Sequence, residues 1–318
     1  MSAMIIALPG NEALTVTLAR ALGAETGALE YRSFPDGESY VRLASGVEGR
    51  EVALVCTLDR PDDKFLRLCF AACVARDLGA VSVGLVAPYL AYMRQDKRFK
   101  SGEAVSSDYF ARLMSDAFDW LVTIDPHLHR RHSLSELYTV PALAAQAAPA
   151  LSEWIRANVR EPLLIGPDSE SAQWVQAVAE AAGAPFQVLE KERQGDREVR
   201  VSLPDASRLR GRTPVVLDDI ISTAQSMVQT VRHLLAAGAS APVCVGVHGI
   251  FADNALRDLV AAGAGRVATT NTVAHETNAI DVSMILANAI GTAQAAAGAA
   301  HSPDPRPVSM QGGPDVQS

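Results

Sequence analysis

The sequence predicts an α/β protein of two domains, each with a mostly parallel sheet flanked by helices. Short apolar runs rich in β-branched residues alternate with longer amphipathic stretches, which is the pattern of successive βα units. This alternation begins again after about Pro149. The length of 318 residues suits two domains that each bury a hydrophobic core.

In the first half, four apolar runs predict strands, and three amphipathic stretches between them predict helices. The apolar runs are MIIAL, EVALVC, VSVGLVAP and WLVTI. The amphipathic stretches are NEALTVTLARAL, DKFLRLCFAACVARDL and SDYFARLMSDA. Continuous apolar strands are typical of a parallel sheet that helices cover on both faces.

The second half repeats the pattern with the strand-like runs PLLIG, FQVLE, TPVVLDD, PVCVGVHGIF and VATTNT. Its predicted helices are SESAQWVQAVAEAA and TAQSMVQTVRHLLAA. The connecting segment 139–162 contains three prolines and few strand-forming residues, so we expect the boundary near residues 143–150. The expected domains are 1–145 and 146–296, followed by a disordered Ala/Gly/Pro-rich tail at 297–318.

Composition and charge exclude several classes of protein. The formal net charge of −8 opposes a broad electrostatic contact with nucleic acid, so an anionic ligand requires a locally basic site. The four cysteines lie in apolar runs without paired spacing, as expected of reduced thiols in the cytoplasm. No targeting signal and no apolar run of about 20 residues is visible, so we expect a cytoplasmic protein without membrane contact.

The segment VVLDDIISTAQS at 215–226 is the strongest candidate for a binding site. Ligands of open α/β sheets lie beyond the carboxyl ends of the strands. The carboxylates of Asp218 and Asp219 can accept hydrogen bonds there from two neighbouring sugar hydroxyls. The hydroxyls of Ser222, Thr223 and Ser226, with the N-terminus of the following helix, offer donors to a phosphate. Asp and Ser are also common helix caps, but a cap does not require two adjacent acids.

Two polar segments of the first half also follow predicted strands. The loop PYLAYMRQDKR contains Arg94, Gln95 and Asp96 and suits a nucleotide or phosphate clamp, with a solvated charged loop as the alternative. Asp125 and His127 follow WLVTI, where they could hold a hydrated Mg²⁺ ion or its phosphate. The histidine spacing in this segment matches no zinc motif.

Three further segments also have an ordinary structural interpretation. FPDGE at 34–38 forms, in isolation, a turn between two strands. Asp168 follows PLLIG at a strand end, in parallel with Asp125 of the first half. Lys191 and Arg193 lie in LEKERQGDREV, which by itself predicts an exposed charged hairpin. The sequence contains no Walker A, Rossmann or nucleophile-elbow motif.

In their order along the chain, these segments resemble the ribose-phosphate pyrophosphokinases, or phosphoribosyl pyrophosphate (PRPP) synthetases. The resemblance covers residues 4–295 and rests on FPDGE, RQDKR, DPH, GPD, EKER, DDIIST, HGIF and TNT. It is closer to the archaeal-type branch than to the common bacterial one. It implies two tandem phosphoribosyltransferase-like domains. It also implies transfer of the β,γ-diphosphate of ATP to the 1-hydroxyl of ribose 5-phosphate, with Mg²⁺ as cofactor and AMP as the second product.

The same resemblance implies a role for each site residue. The residues of the mobile catalytic loop are Lys191 and Arg193. The residues implied to bind ATP are Phe34, Asp36, Glu38, Arg94, Gln95, Asp96 and His127. The residues implied to bind ribose 5-phosphate are Asp218, Asp219, Ser222, Thr223, Ala224, Gln225 and Ser226. The residues implied at the metal are Asp125, His127 and Asp168. FPDGE is implied to reach the ATP of a neighbouring subunit, which requires a homo-oligomer.

One segment departs from the family pattern. Family phosphate loops commonly contain glycine in Thr-x-Gly-Thr or Thr-Gly-Gly-Thr, whereas this chain has Thr223-Ala224-Gln225-Ser226. One alternative hypothesis is therefore a non-catalytic regulatory homologue that assembles with an active synthetase. Another is a phosphoribosyltransferase that consumes PRPP, which shares the Asp218–Asp219 loop but does not need FPDGE, RQDKR and EKER together.

Overall fold

Two six-stranded parallel sheets, each flanked by helices, form the body of the protein and confirm the predicted fold class. A computed structural model describes residues 3–128, 130–167, 171–189, 191–194, 198–201 and 206–300. Two antiparallel hairpins accompany the sheets, one in each half of the chain.

Among its described residues, the first half holds eight strands and three helices, apart from a short 3₁₀ turn at Leu134–Glu136. In chain order these are β1 (Ala3–Ala7), α1 (Glu12–Leu22), β2 (Glu25–Gly27), β3 (Leu29–Ser33), β4 (Ser39–Leu43), β5 (Glu51–Val55), α2 (Pro61–Asp77), β6 (Ser82–Ala87), α3 (Ser106–Ala117), β7 (Trp120–Ile124) and β8 (Ala142–Ala145). The first sheet has the order β2-β1-β5-β6-β7-β8, and β3 pairs with β4.

The second half has the same construction. In chain order its elements are α4 (Ala148–Asn158), β9 (Pro162–Gly166), α5 (Ala172–Ala182), β10 (Phe186–Val188), β11 (Lys191–Gln194), β12 (Glu198–Val201), α6 (Ala206–Leu209), β13 (Thr213–Ile221), α7 (Gln225–Ala236), β14 (Val243–Gly249), α8 (Ala255–Ala261), β15 (Arg266–Thr270), β16 (Asn278–Ile280) and α9 (Ser283–Ala300). The second sheet has the order β10-β9-β13-β14-β15-β16, and β11 pairs with β12.

The connecting segment is more regular than its three prolines suggest. It contains β8, which completes one edge of the first sheet, and α4, which packs on α5. Pro141 lies directly before β8 and Pro149 lies in the first turn of α4, where a missing N–H breaks no intrahelical bond. The expected boundary at 145/146 stays a prediction.

The last helix joins the two halves. Helix α9 follows the second sheet in the chain but packs on α1, β7 and β8 of the first half. One buried cluster therefore contains Trp120 and Val122 of β7 together with Leu286 and Ile290 of α9. Residues 297–300, expected in the tail, belong to α9, because Ala297 is buried in the same cluster. The remainder of the expected tail, 301–318, lies outside the described residues.

No helix in the described part of the chain is both long enough and apolar enough to cross a bilayer.

Candidate active site

The carboxyl end of β7 meets the carboxyl end of β13 between the two halves of the molecule. Nδ1 of His127, three residues beyond β7, lies 2.7 Å from Oδ2 of Asp219 in β13. Both side chains remain partly exposed, at 22% and 28%. This contact brings two of the predicted site residues together, one from each half.

Asp125 occupies a strained position directly after β7. Its φ is +32°, a conformation that is unfavourable for a residue with a Cβ atom. Its N–H donates to the carbonyl of Ala145, and its Oδ2 accepts the N–H of Ala147, each at 2.9 Å. Burial raises the pKa of Asp125 to about 6, and the negative charge of Asp219 acts in the same direction. A buried carboxyl beside a second carboxylate is suited to a cation or a proton.

Asp219 is held in its ionised form. Burial alone would raise its pKa, but the hydrogen bond and charge of His127 outweigh burial and hold the pKa of Asp219 below its usual value. Oδ1 of Asp219 accepts the N–H of Ile220 at 2.8 Å. The carboxylate is therefore fixed as a hydrogen-bond acceptor, as a bound sugar hydroxyl would require.

The turn between β13 and α7 presents an uncapped helix N-terminus. Ala224 precedes α7 in the left-handed conformation, with φ +57°, and no side chain caps the helix. Among the described residues, none accepts the backbone N–H groups of Gln225, Ser226 and Met227, which lie in the first turn. With the hydroxyls of Ser222 and Thr223 beside them, these donors form a site suited to a phosphate.

The segment after β14 holds this turn in place. The N–H groups of Ile250 and Phe251 both donate to the carbonyl of Ile221, at 3.1 and 2.9 Å. The N–H of Ala252 donates to the carbonyl of Ser222 at 3.1 Å. The HGIF motif thus supports the predicted ribose 5-phosphate loop through its backbone, a role that its residue types did not reveal.

The loop after β6 places its three predicted ATP-binding residues in different surroundings. Arg94 is exposed. Burial raises the pKa of Tyr89, and the positive charge of Arg94 acts in the opposite direction. Oε1 of Gln95 accepts the Ser106 hydroxyl at 2.7 Å. The side chain of Asp96 is only 6% exposed and pairs with Arg130 at 2.7 Å, so its carboxylate supports the loop itself.

The β3–β4 hairpin carries FPDGE at its tip. The N–H of Gly37 donates to the carbonyl of Phe34, and the N–H of Glu38 donates to Oδ1 of Asp36, as the predicted turn requires. Phe34 is 38% exposed, and its ring contacts Tyr40 and the Arg32 guanidinium. The role of FPDGE in binding ATP stays a prediction.

Three predicted residues lie at or beyond the limits of the described chain. Lys191 and Arg193 lie in β11, opposite Val201 and Val199 of β12, and only their backbone is described. Asp168 lies outside the described residues. Their predicted roles stay predictions.

The carboxylates of the site fit a hydrated magnesium ion. In the described part of the chain, no group of three His, Cys, Asp or Glu side chains could hold a metal by itself. Mg²⁺ does not require such a group, because it keeps several waters and binds one or two carboxylates together with substrate phosphates. Asp125 has the oxygen donors that Mg²⁺ prefers and a second carboxylate, Asp219, nearby. His127 is less suited as a ligand, since Mg²⁺ prefers oxygen and its Nδ1 contacts Asp219.

Comparison with known proteins shows to which family the chain belongs. Residues 3–117 match the N-terminal domain of ribose phosphate pyrophosphokinase, and residues 133–284 match the phosphoribosyl transferase domain. The ribose-phosphate pyrophosphokinase of Sulfurisphaera tokodaii is 32% identical over 293 residues, which are 90% of this chain and 100% of that protein. The chain belongs to the ribose-phosphate pyrophosphokinase family.

Other relatives agree with this membership. The ribose-phosphate pyrophosphokinase of Methanothermobacter thermautotrophicus is 34% identical over 287 residues, 90% of this chain and 99% of that protein. Both organisms are archaea, in agreement with the likeness to the archaeal-type branch. The crystal structure of phosphoribosylpyrophosphate synthetase from Mycobacterium smegmatis covers 93% of this chain and 98% of that chain with a TM-score of 0.79. At 24% identity, that structure confirms the fold of this family member.

Proposed function

We propose that the protein is a Mg²⁺-dependent ribose-phosphate diphosphokinase that transfers the β,γ-diphosphate of ATP to the 1-hydroxyl of ribose 5-phosphate. The observation that carries this proposal is the contact between His127 and Asp219. It brings the end of the first sheet, where Asp125 lies, against the end of the second sheet. The protein groups at that second end can bind a sugar and a phosphate. One ligand site then faces another across the junction of the two halves.

Ribose 5-phosphate binds to the second half in this proposal. The carboxylates of Asp218 and Asp219 accept hydrogen bonds from its ring hydroxyls, while its phosphate binds at the uncapped N-terminus of α7. Support comes from the ionised state of Asp219 and from the unaccepted N–H groups of Gln225 and Ser226. The helix dipole and the N–H donors both favour a dianionic phosphate at this position.

ATP binds to the first half, where Arg94 and Gln95 face the nucleotide and Asp125 binds the magnesium ion of the MgATP complex. When bound, Mg²⁺ neutralises negative charge on the phosphates. Arg94 contributes a further positive charge in a chain whose net charge is −8. His127 holds Asp219 toward the sugar and so couples the two ligand sites.

The chemical step needs no protein nucleophile. The oxygen of the ribose 1-hydroxyl attacks the β-phosphorus, and the bond from the β-phosphorus to the oxygen bridging to the α-phosphate breaks. AMP leaves with that oxygen, and the hydroxyl proton passes to solvent. Such transfer depends on positioning and on cations at the phosphates, which the two half-sites supply.

Lys191 and Arg193 are the proposed catalytic cations. We expect Lys191→Ala and Arg193→Ala each to lower kcat by about 10²–10³-fold. Each substitution removes a positive charge that would stabilise the negative charge developing on the phosphates during the transfer. The Kd for ATP should change little. Stopped assays of kcat and calorimetric titration of ATP measure the two quantities separately. A double variant with nearly normal kcat would restore the interpretation of this segment as an ordinary charged hairpin.

One assay distinguishes the proposed activity from its alternatives. Purified protein is incubated with Mg²⁺, ATP and ribose 5-phosphate, and AMP and PRPP are quantified, with Asp219→Ala as the control. We expect equal amounts of AMP and PRPP. ATP binding without AMP release would favour the regulatory homologue. Consumption of added PRPP with a purine or pyrimidine base, and release of pyrophosphate, would favour a phosphoribosyltransferase.

A further inference from the structure

A buried chain of hydrogen bonds crosses between the two halves beneath the site. His248 of β14 is 1% exposed, and its Nε2 lies 3.1 Å from the carbonyl oxygen of Ile124 and 3.4 Å from that of Asp125. Its Nδ1 lies 2.9 Å from the hydroxyl of Thr272. The carbonyl of Thr272 accepts the hydroxyl of Thr57 at 2.8 Å. We call these contacts the His248 bridge.

The partners of the imidazole determine its tautomer. Carbonyl oxygens only accept, so the nitrogen that faces Ile124 and Asp125, Nε2, carries the hydrogen. Burial lowers the pKa of His248 to about 4, so the ring is neutral near pH 7. Nδ1 is then an acceptor, and the hydroxyl of Thr272 donates to it.

The position of the bridge relates it to the site. His248 pairs with Ile220 across β13 and β14, and Ile220 directly follows Asp219, whose negative charge acts on the imidazole. Its Nε2–H donates to the residues that end β7, where Asp125 has its positive φ. The ring of Tyr89 packs against the imidazole at an interplanar angle of 66°, with the centroids 4.9 Å apart. Through one side chain, β14 thus holds the end of β7 in the opposite half.

We propose that His248 is a positioning residue whose Nε2–H bond to the end of β7 holds Asp125 and His127 against Asp219. This proposal rests on the proposed function, because the geometry that it preserves is that of the diphosphate transfer. His248 itself is too deeply buried to touch a substrate. Its effect is therefore expected on kcat, because small displacements of aligned groups slow a reaction strongly.

Two amide variants separate the two nitrogens of the ring. In His248→Gln the longer side chain brings its NH₂ near the place of Nε2 and keeps the donor to Ile124. In His248→Asn the shorter side chain reaches only the place of Nδ1, which keeps a partner for Thr272 and loses the bond from β14 to the end of β7. We expect kcat to fall about 10²-fold in His248→Asn and less than about tenfold in His248→Gln, with the KM for ATP nearly unchanged in both.

Two results would overturn the proposal. One is a kcat for His248→Asn within about threefold of the unsubstituted protein. The other is an equal loss of kcat in both variants that follows an equal fall in Tm, because packing alone would then explain the effect. Loss in the Asn variant with recovery in the Gln variant, at similar Tm, supports the bridge.

A second measurement does not depend on activity. Long-range ¹⁵N–¹H spectra of histidine-labelled protein report the tautomer of His248 and the hydrogen bond of His127 to Asp219, assigned with a His127→Gln variant. We expect His248 as the Nε2–H tautomer and a shifted His127 signal in His248→Asn but not in His248→Gln. An unshifted His127 signal in the Asn variant overturns the positioning role. If the unsubstituted protein formed no PRPP, the proposed function would fail while these spectra still tested the bridge.

Discussion

Ala224 holds a strained backbone conformation in the predicted ribose 5-phosphate loop. Its φ of +57° lies in the left-handed region, and its side chain is buried. An L-residue pays about 1 kcal/mol or more in this conformation, whereas glycine adopts it without a Cβ clash. We therefore expect Ala224→Gly to raise the free energy of unfolding by about 1 kcal/mol, measured by urea denaturation.

The matched control for this prediction is Ala157→Gly on the exposed face of α4. There the same change should lower stability by about 0.5–1 kcal/mol, because glycine gains no favourable conformation in a helix. Stabilities that fell in both variants would contradict the strain assigned to Ala224. The departure from the family glycine pattern then strains the backbone at Ala224. Gln225 begins α7, and its side chain is exposed.

Asp125 makes the stability of the protein depend on pH. Its folded-state pKa of about 6 lies above its usual value of 3.8, so the folded state holds the proton more tightly than the unfolded chain. Stability due to this group is thus present at low pH and lost as pH rises through about 6. We expect Asp125→Asn to be more stable than the unsubstituted protein at pH 8, by at most about 3 kcal/mol. The difference should shrink toward pH 4.

Urea denaturation with EDTA at pH 5 and pH 8 measures this dependence. Adding Mg²⁺ at pH 8 should stabilise the unsubstituted protein and leave Asp125→Asn unchanged, since the ion needs the carboxylate. A less stable Asn variant at pH 8 would show that the ionised carboxylate is favourable in the fold. Equal stabilisation of both proteins by Mg²⁺ would place the ion elsewhere.

At the scale of elements, β6 and β7 depend on a glycine. A Cβ atom on Gly84 of β6 would lie 1.9 Å from Cε2 of Trp120, a fully buried side chain of β7. The indole has no room to move, because it packs in the cluster that joins both halves. We expect Gly84→Ala to lower the free energy of unfolding by about 1–3 kcal/mol, measured by thermal or urea denaturation.

Gly46→Ala is the control for this substitution. A Cβ atom there would meet nothing within 4 Å, and its φ is not in the left-handed region, so the change should be neutral or slightly stabilising. Equal effects of the two substitutions on stability would mean that Trp120 does not need the space left by the missing side chain of Gly84.

The local sequence pattern predicted the strands of apolar residues but missed other elements of the fold. The nine apolar runs correspond to strands, because their β-branched residues suit a sheet buried on both faces. Helix α9 was not predicted, since its apolar and alanine residues surround the whole helix and leave no amphipathic period. Strand β8 and helix α4 were missed because prolines in the segment indicated a linker. Those prolines in fact precede or begin the elements, where they are tolerated.

At the scale of the whole molecule, the proposed homo-oligomer makes a test by complementation possible. Phe34 lies on the β3–β4 hairpin, and its ring contacts Tyr40 and Arg32 of the same hairpin. If it serves a neighbouring subunit, then mixed oligomers of Phe34→Ala and Asp219→Ala contain some sites with both residues intact. After subunit exchange we expect the mixture to regain up to about a quarter of full activity, although each variant alone is inactive.

Native mass spectrometry of differently tagged variants confirms that exchange has taken place, and PRPP formation measures the recovery. Each variant mixed with itself is the control. Confirmed hybrids without activity would place Phe34 in the site of its own subunit or outside any site.

The sequence by itself determined the fold class, the family and the positions of the candidate site residues along the chain. Apolar runs, turn residues and the short motifs after each strand are local, so one sequence is enough to find them. Only the tertiary structure decided that His127 meets Asp219, 92 positions away, that His248 holds the end of β7, and that α9 covers the first sheet. The physical reason is that a local pattern shows which face of a segment is buried or polar. It does not show which distant segment supplies the covering surface or the hydrogen-bond partner, because that depends on how both sheets pack together.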